Sequence, residues 1–173
     1  MFVDSRWVNV RGLILFVLIG IAAHASAVAA PLSKPSGPVI LTVTGAISKT
    51  NAPGRAEFDQ AMLEALGADA VRTSTEWTKG QPLFEGVRFS KVLDAVGAQG
   101  TTVLARALND YSGEIAIDDL NKYPVLLAWR LDGAPLAPDK APIWIIYPRD
   151  DYPALNERDD LLWAWQLASI DVR

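Results

Sequence analysis

The chain has 173 residues, 16 Lys and Arg against 20 Asp and Glu, a net charge of −4, one histidine and no cysteine. Without a thiol, it is closed to disulfides and to thiolate chemistry. Mild acidity with no basic stripe argues against nucleic acid and anionic lipid as partners.

Arg6 and Arg11 precede a continuous apolar run from Gly12 to Ala23, and small residues follow through Ala30. That order is the pattern of a secretory signal peptide. The run is shorter than the roughly 20 residues a membrane-spanning helix needs. Ala27-Val28-Ala29 offers a cleavage site, so residues 1–29 read as an export signal, with an uncleaved anchor as the competing reading. The expected mature form is periplasmic and does not span the membrane. Cleavage removes Asp4, Arg6, Arg11 and His24, leaving 14 basic and 19 acidic residues, net −5. With no imidazole left, serine–histidine and cysteine–histidine pairs are excluded, as are zinc sites built on nitrogen or sulfur.

Residues 30–38 carry three prolines between Pro31 and Pro38 and read as a flexible leader to a single domain over 39–173. Val39 to Gly45 is β-branched and ends at glycine, a strand. Glu57 to Leu66 places Phe58, Met62, Leu63 and Leu66 at helical spacing before Gly67. Ala70 to Thr75 is a second strand. Ser90 opens a helix through Val92, Leu93 and Val96, closed by Gly97. Strand-like runs follow at Thr102–Leu108, Glu114–Ile117, Val125–Leu131 and Ile143–Tyr147. At the end, Trp163, Trp165, Leu167 and Ser169 alternate with their neighbours; a helix is open there, but Ile170-Asp171-Val172 favours a strand. Two short helices among roughly seven strands make an α+β domain, mainly β. There is no glycine-rich phosphate loop.

Three polar clusters interrupt this pattern. Arg72-Thr73-Ser74-Thr75-Glu76-Trp77-Thr78 sets hydroxyls beside an arginine and a tryptophan. Such a group suits a small planar heterocycle, with stacking faces and hydrogen-bonding hydroxyls. The residues alone favour the other reading, a strand followed by a polar turn with Trp77 as a core anchor. Asn109-Asp110-Tyr111-Ser112 is a pocket wall or a plain β-turn. Tyr147-Pro148-Arg149-Asp150-Asp151-Tyr152 closes an apolar strand; Arg149 can hold an anion or pair with Asp150 or Asp151. Glu157, Asp159 and Asp160 read as solvated loop charge.

In order, Val71-Arg72-Thr73-Ser74-Thr75-Glu76-Trp77, then Phe84-Glu85-Gly86-Val87-Arg88-Phe89-Ser90-Lys91-Val92-Leu93, then Leu131 to Pro148 with its Gly-x-Pro-Leu turn, then Trp165-Gln166-Leu167 and Ile170-Asp171-Val172, resemble the molybdopterin-binding domain of the sulfite-oxidase family. The resemblance runs from about Val39 to Val172 and implies that family's single-domain fold. In its catalytic members a cysteine after the arginine ligates molybdenum, a soft ligand for that metal; here the position is Thr73. The histidines that hold the cofactor's phosphate are also missing. The resemblance therefore implies a pterin or molybdopterin-like ligand with no metal expected. The implied pocket comprises Arg72, Thr73, Ser74, Trp77, Asn109, Asp110, Tyr111, Tyr147 and Arg149, with no catalytic residue among them. The chain looks more similar to small periplasmic pterin-binding partners of membrane signalling enzymes than to the enzymes. A molybdopterin-dependent oxidoreductase holding its metal by the dithiolene alone is the alternative.

Overall fold

The run Leu41-Thr42-Val43-Thr44-Gly45 buries Leu41 and Val43 and turns its threonines outward, the period of a strand with one face on the core. The computed structural model in which it does so describes Met1, residues 31–155 and residues 163–173. Residues 2–30, on which the expected export signal falls, and Glu157, Asp159 and Asp160 lie outside the described residues. This strand, β1 (Leu41–Gly45), is followed by β2 (Ala56–Phe58), α1 (Gln60–Ala65), β3 (Ala68–Arg72), β4 (Leu83–Arg88), α2 (Phe89–Val96), β5 (Thr102–Ala107) and β6 (Ser112–Ala116). Then come α3 (Ile117–Lys122), β7 (Leu126–Leu131), β8 (Ala134–Pro135), β9 (Trp144–Ile146), a 3-10 turn at Pro153–Leu155, and β10 (Leu167–Val172). The fold is mostly β with few helices, as the residue pattern and the resemblance led us to expect.

Two sheets form. One runs β2-β1-β10-β5-β6, where β1 and β10 pair in parallel and the other pairs are antiparallel. The C-terminal strand thus sits in the middle of the sheet that the N-terminal strand helps to build. The other runs β3-β4-β7-β8, with β9 also on β7. One core joins them, including Phe58, Phe84, Phe89, Leu126, Leu127, Trp144 and Ile170. Among the described residues no helix is long and apolar enough to cross a membrane.

The helix expected over Glu57–Leu66 begins only at Gln60. Asp59 takes an extended backbone and its Oδ1 accepts from the Met62 amide at 2.9 Å, so it is the N-cap. The residues before it pair with β1 instead, Phe58 opposite Leu41. The Ser90 helix begins one residue earlier, at Phe89, with Arg88 at the cap position and no side-chain cap. Its end is as expected: Gly97 takes a left-handed φ of 58°. The strand expected over Ala70–Thr75 runs Ala68–Arg72, leaving Thr73 just past its end. Four elements were not foreseen: β2, β4, β8 and α3. In α3, Asp118 and Asp119 occupy the first turn and Lys122 the last, the charge order that suits a helix dipole. The tail is a strand, but Gln166 has a φ of 56° and a bulge falls between Leu167 and Ser169. These breaks move the buried set to Leu167, Ile170 and Val172.

Asp59 also straps the leader to the body, its Oδ2 accepting from the amides of Ser36 and Gly37, each at 2.7 Å. The Met62 and Gly37 amides pull its carboxyl below the usual range; burial opposes them, and Ser36 adds to the lowering. A depressed folded value means stabilisation that is complete above the unfolded pKa of about 3.9 and is lost as pH falls through the lower folded one. We expect the stability difference between pH 7 and pH 3, read from urea midpoints, to be smaller in Asp59→Asn than in the wild type. An equal difference would contradict this assignment.

Candidate ligand-binding site

β3 ends at Arg72, and the chain leaves the sheet carrying its hydroxyls into contact with the turn after β9. Thr73 is wholly buried; its amide donates to Pro82 O at 3.3 Å and its Oγ1 accepts from the Asp150 amide at 3.4 Å. Ser74 donates to both oxygens of Asp150, from its amide at 2.6 Å and from Oγ at 2.7 Å. Burial raises the Asp150 carboxyl, but the Ser74 bonds, helped by Gln81 and Thr73, outweigh it and hold the group below the usual carboxylate range. Thr75 Oγ1 accepts from the Trp77 amide at 3.1 Å and lies 2.9 Å from Thr78 Oγ1, closing a local turn. The first polar cluster is therefore a fixed loop, tied across the molecule to the third.

Two surfaces flank this loop. A polar cavity of about 340 Å³ is lined by Arg72, Gln81, Arg88, Pro124, Pro148, Asp150 and Asp151. Arg88 bonds Asp69 and Pro124 O, whereas Arg72 gives one donor to Gln81 O at 3.0 Å. Three indoles also adjoin this loop. Trp77, 37% exposed, meets Trp165 edge to face at 4.8 Å, and both lie 6.2 Å from buried Trp144. Lys140 lies over this cluster, Nζ 3.6 Å from the Trp165 centroid.

The other expected residues are distributed unevenly. Tyr147 stacks on Trp163 with centroids 5.8 Å apart, and the Arg149 guanidinium lies 4.9 Å from the same indole. Trp163 O in turn accepts from Trp144 Nε1, which links this stack to the indole cluster. Asp150 bonds Ser74, so it is not simply a surface counter-ion for Arg149. Asn109 and Asp110 form the tip between β5 and β6: Asn109 Oδ1 accepts from the Tyr111 amide, and Asp110 has a φ of 65°. Tyr111 packs on the core, and Leu108 N bonds Gln166 O beside Trp165. Sequence reasoning named Trp77 but missed Asp150 as the anchor, and Lys140, Trp144 and Gln81 as neighbours. A signal for Trp144 existed: it lies within the apolar run after the Gly-x-Pro-Leu turn.

These donors do not fit molybdenum in the manner of the sulfite-oxidase enzymes. The chain has no thiolate, and the hydroxyl at the corresponding place is neutral, buried and hydrogen-bonded to the backbone. Among the described residues no group of three or more Asp, Glu or His could hold a metal. What is present suits a flat polar heterocycle: a guanidinium, an amide side chain and a carboxylate border a cavity in the volume range of small-molecule sites, and the Trp77 loop carries indole faces.

No curated protein matches the chain significantly. The family model for the oxidoreductase molybdopterin binding domain matches residues 53–149, more than half of the chain, and so spans the Thr73 loop, Lys140 and Trp144. The chain belongs to the oxidoreductase molybdopterin-binding domain family.

Proposed function

We propose that this domain is a periplasmic pterin-binding protein that works without a metal and relays its ligand state to a membrane signalling partner. Family membership supports a pterin-type ligand. The observation that carries the metal-free reading is Thr73. Where the enzymes resembled here place a metal-ligating thiolate, this chain places a buried hydroxyl engaged with the Asp150 amide. The loop it starts is nevertheless kept rigid, with Asp150 and Ser74 locked together and Trp77 held against Trp165. The amino–oxo edge of a pterin needs an acceptor and donors, which Asp151, Gln81 and Arg72 offer around the cavity. Export and a membrane partner follow from the N-terminal pattern and the sulfite-oxidase resemblance, and stand as part of the proposal.

Calorimetric titration of the purified protein with tetrahydropterin and oxidised pterin tests the ligand. Binding with a Kd of about 1 mM or tighter, about −4 kcal/mol, is expected. Asp150→Ala should weaken it at least several-fold by releasing Ser74. Failure of every pterin to bind at millimolar concentration would overturn the reading.

A further inference from the structure

Lys140 sits on the loop between β8 and β9 with its backbone pinned on both sides. Its amide donates to Ala137 O at 2.8 Å, and its carbonyl accepts from Gln166 N at 3.0 Å. The side chain is 19% exposed, with the ammonium 3.6 Å from the Trp165 centroid and 5.4 Å from that of Trp144. Its counter-charge is Asp139, 3.7 Å away and itself 72% exposed, where water screens it. Among the described residues the Lys140 ammonium donates no hydrogen bond, the Asp139 carboxylate at 3.7 Å being beyond that distance, although it carries three donors. A cation whose side chain is mostly covered, held on an aromatic face with no hydrogen-bond acceptor among the described residues, is prepared for an anion. It also lies next to the most exposed indole of the site, Trp77.

We propose that Lys140 reads the charge of the ligand, donating to an anionic oxygen on the edge of a flat heterocycle that packs against Trp77 and Trp165. This rests on the pterin reading above and adds to it the chemical class: a ring bearing a carboxylate or comparable oxyanion. A neutral ring gains the aromatic contact alone, whereas an anionic one gains a charge-assisted hydrogen bond as well.

The test compares two probes that differ in one substituent, 6-carboxypterin and 6-hydroxymethylpterin, by calorimetry on the wild type, Lys140→Met and Lys140→Arg. The wild type is expected to favour the carboxylate by about tenfold. Lys140→Met should bring the ratio to about one, and Lys140→Arg should keep most of it. The wild-type ratio should also fall as salt is raised. This readout remains should Lys140→Met fail to fold. A ratio unchanged in Lys140→Met, or unchanged by salt in the wild type, overturns the role of Lys140 and leaves the pterin reading standing. Binding of neither probe to the wild type overturns the present inference, and if tetrahydropterin also fails it overturns the pterin reading with it.

Discussion

Trp144→Ala is expected to lower the unfolding free energy by about 3–5 kcal/mol. Trp144 is 1% exposed on β9, between the sheet and the indole cluster. It packs edge-on against Phe84 with centroids 5.5 Å apart, and its Nε1 donates to Trp163 O at 2.9 Å. Truncation therefore leaves a large cavity and strips a buried carbonyl of its donor, two separate costs. Trp77→Ala provides the contrast. That side chain is more than a third exposed and makes aromatic contacts on one flank, so its loss should cost about 1 kcal/mol in stability. On the present account it should weaken pterin binding far more. Urea unfolding of both variants beside ligand titration separates the two roles. Equal destabilisation would mean that Trp77 is a core anchor and not a ligand wall.

Gly86→Ala is expected to destabilise by about 3 kcal/mol, with misfolding as the extreme outcome. Gly86 is the glycine of the Phe84-Glu85-Gly86-Val87 segment on β4, central between β3 and β7. A Cβ there would stand 2.0 Å from Leu127 O and 2.7 Å from Ala128 Cα. Those are backbone atoms of the neighbouring strand, so no side chain can rotate away. The β4–β7 register shifts at this point, Glu85 facing Arg130 and Gly86 facing Ala128, which draws the two backbones together. Gly54→Ala is the control: nothing lies within 4 Å of its Cβ position, and the only penalty is a φ of 69°. That should cost about 1 kcal/mol. Differential scanning calorimetry of the pair checks the difference; similar melting temperatures would show that β4 and β7 can move apart cheaply.

The close approach at Gly86 also shows why parts of the fold were not legible in the sequence. A glycine within Leu83–Arg88 weakens a strand signal, although here it marks where two strands crowd. The helix α3 spans only Ile117–Lys122, too short for an apolar period to emerge, and its charge order was the one available sign. Conversely Phe89, Val92, Leu93 and Val96 bury one face of α2, and Gly97 ends it, because period and stop signal agree. At the site, hydroxyls beside Trp77 could be read as a ligand-facing loop. Their anchor could not: Asp150 lies 76 positions from Ser74 and reads locally as a surface partner for Arg149. Lys140 was hidden for a similar reason, since a lysine in a Pro-rich turn gives no hint of the two indoles it lies over. Family resemblance bridged what local pattern could not, by setting Thr73 at a position whose meaning comes from other chains.

On the proposed reading this family member keeps a pterin site while doing without the metal. Protein purified from its native compartment, analysed for released small molecules by mass spectrometry and for molybdenum by elemental analysis, tests it most directly. A pterin released in near-stoichiometric amount, with no matching molybdenum, is expected. Stoichiometric molybdenum with a dithiolene-bearing pterin would contradict it, and would make the domain an oxidoreductase that holds its metal without a protein thiolate.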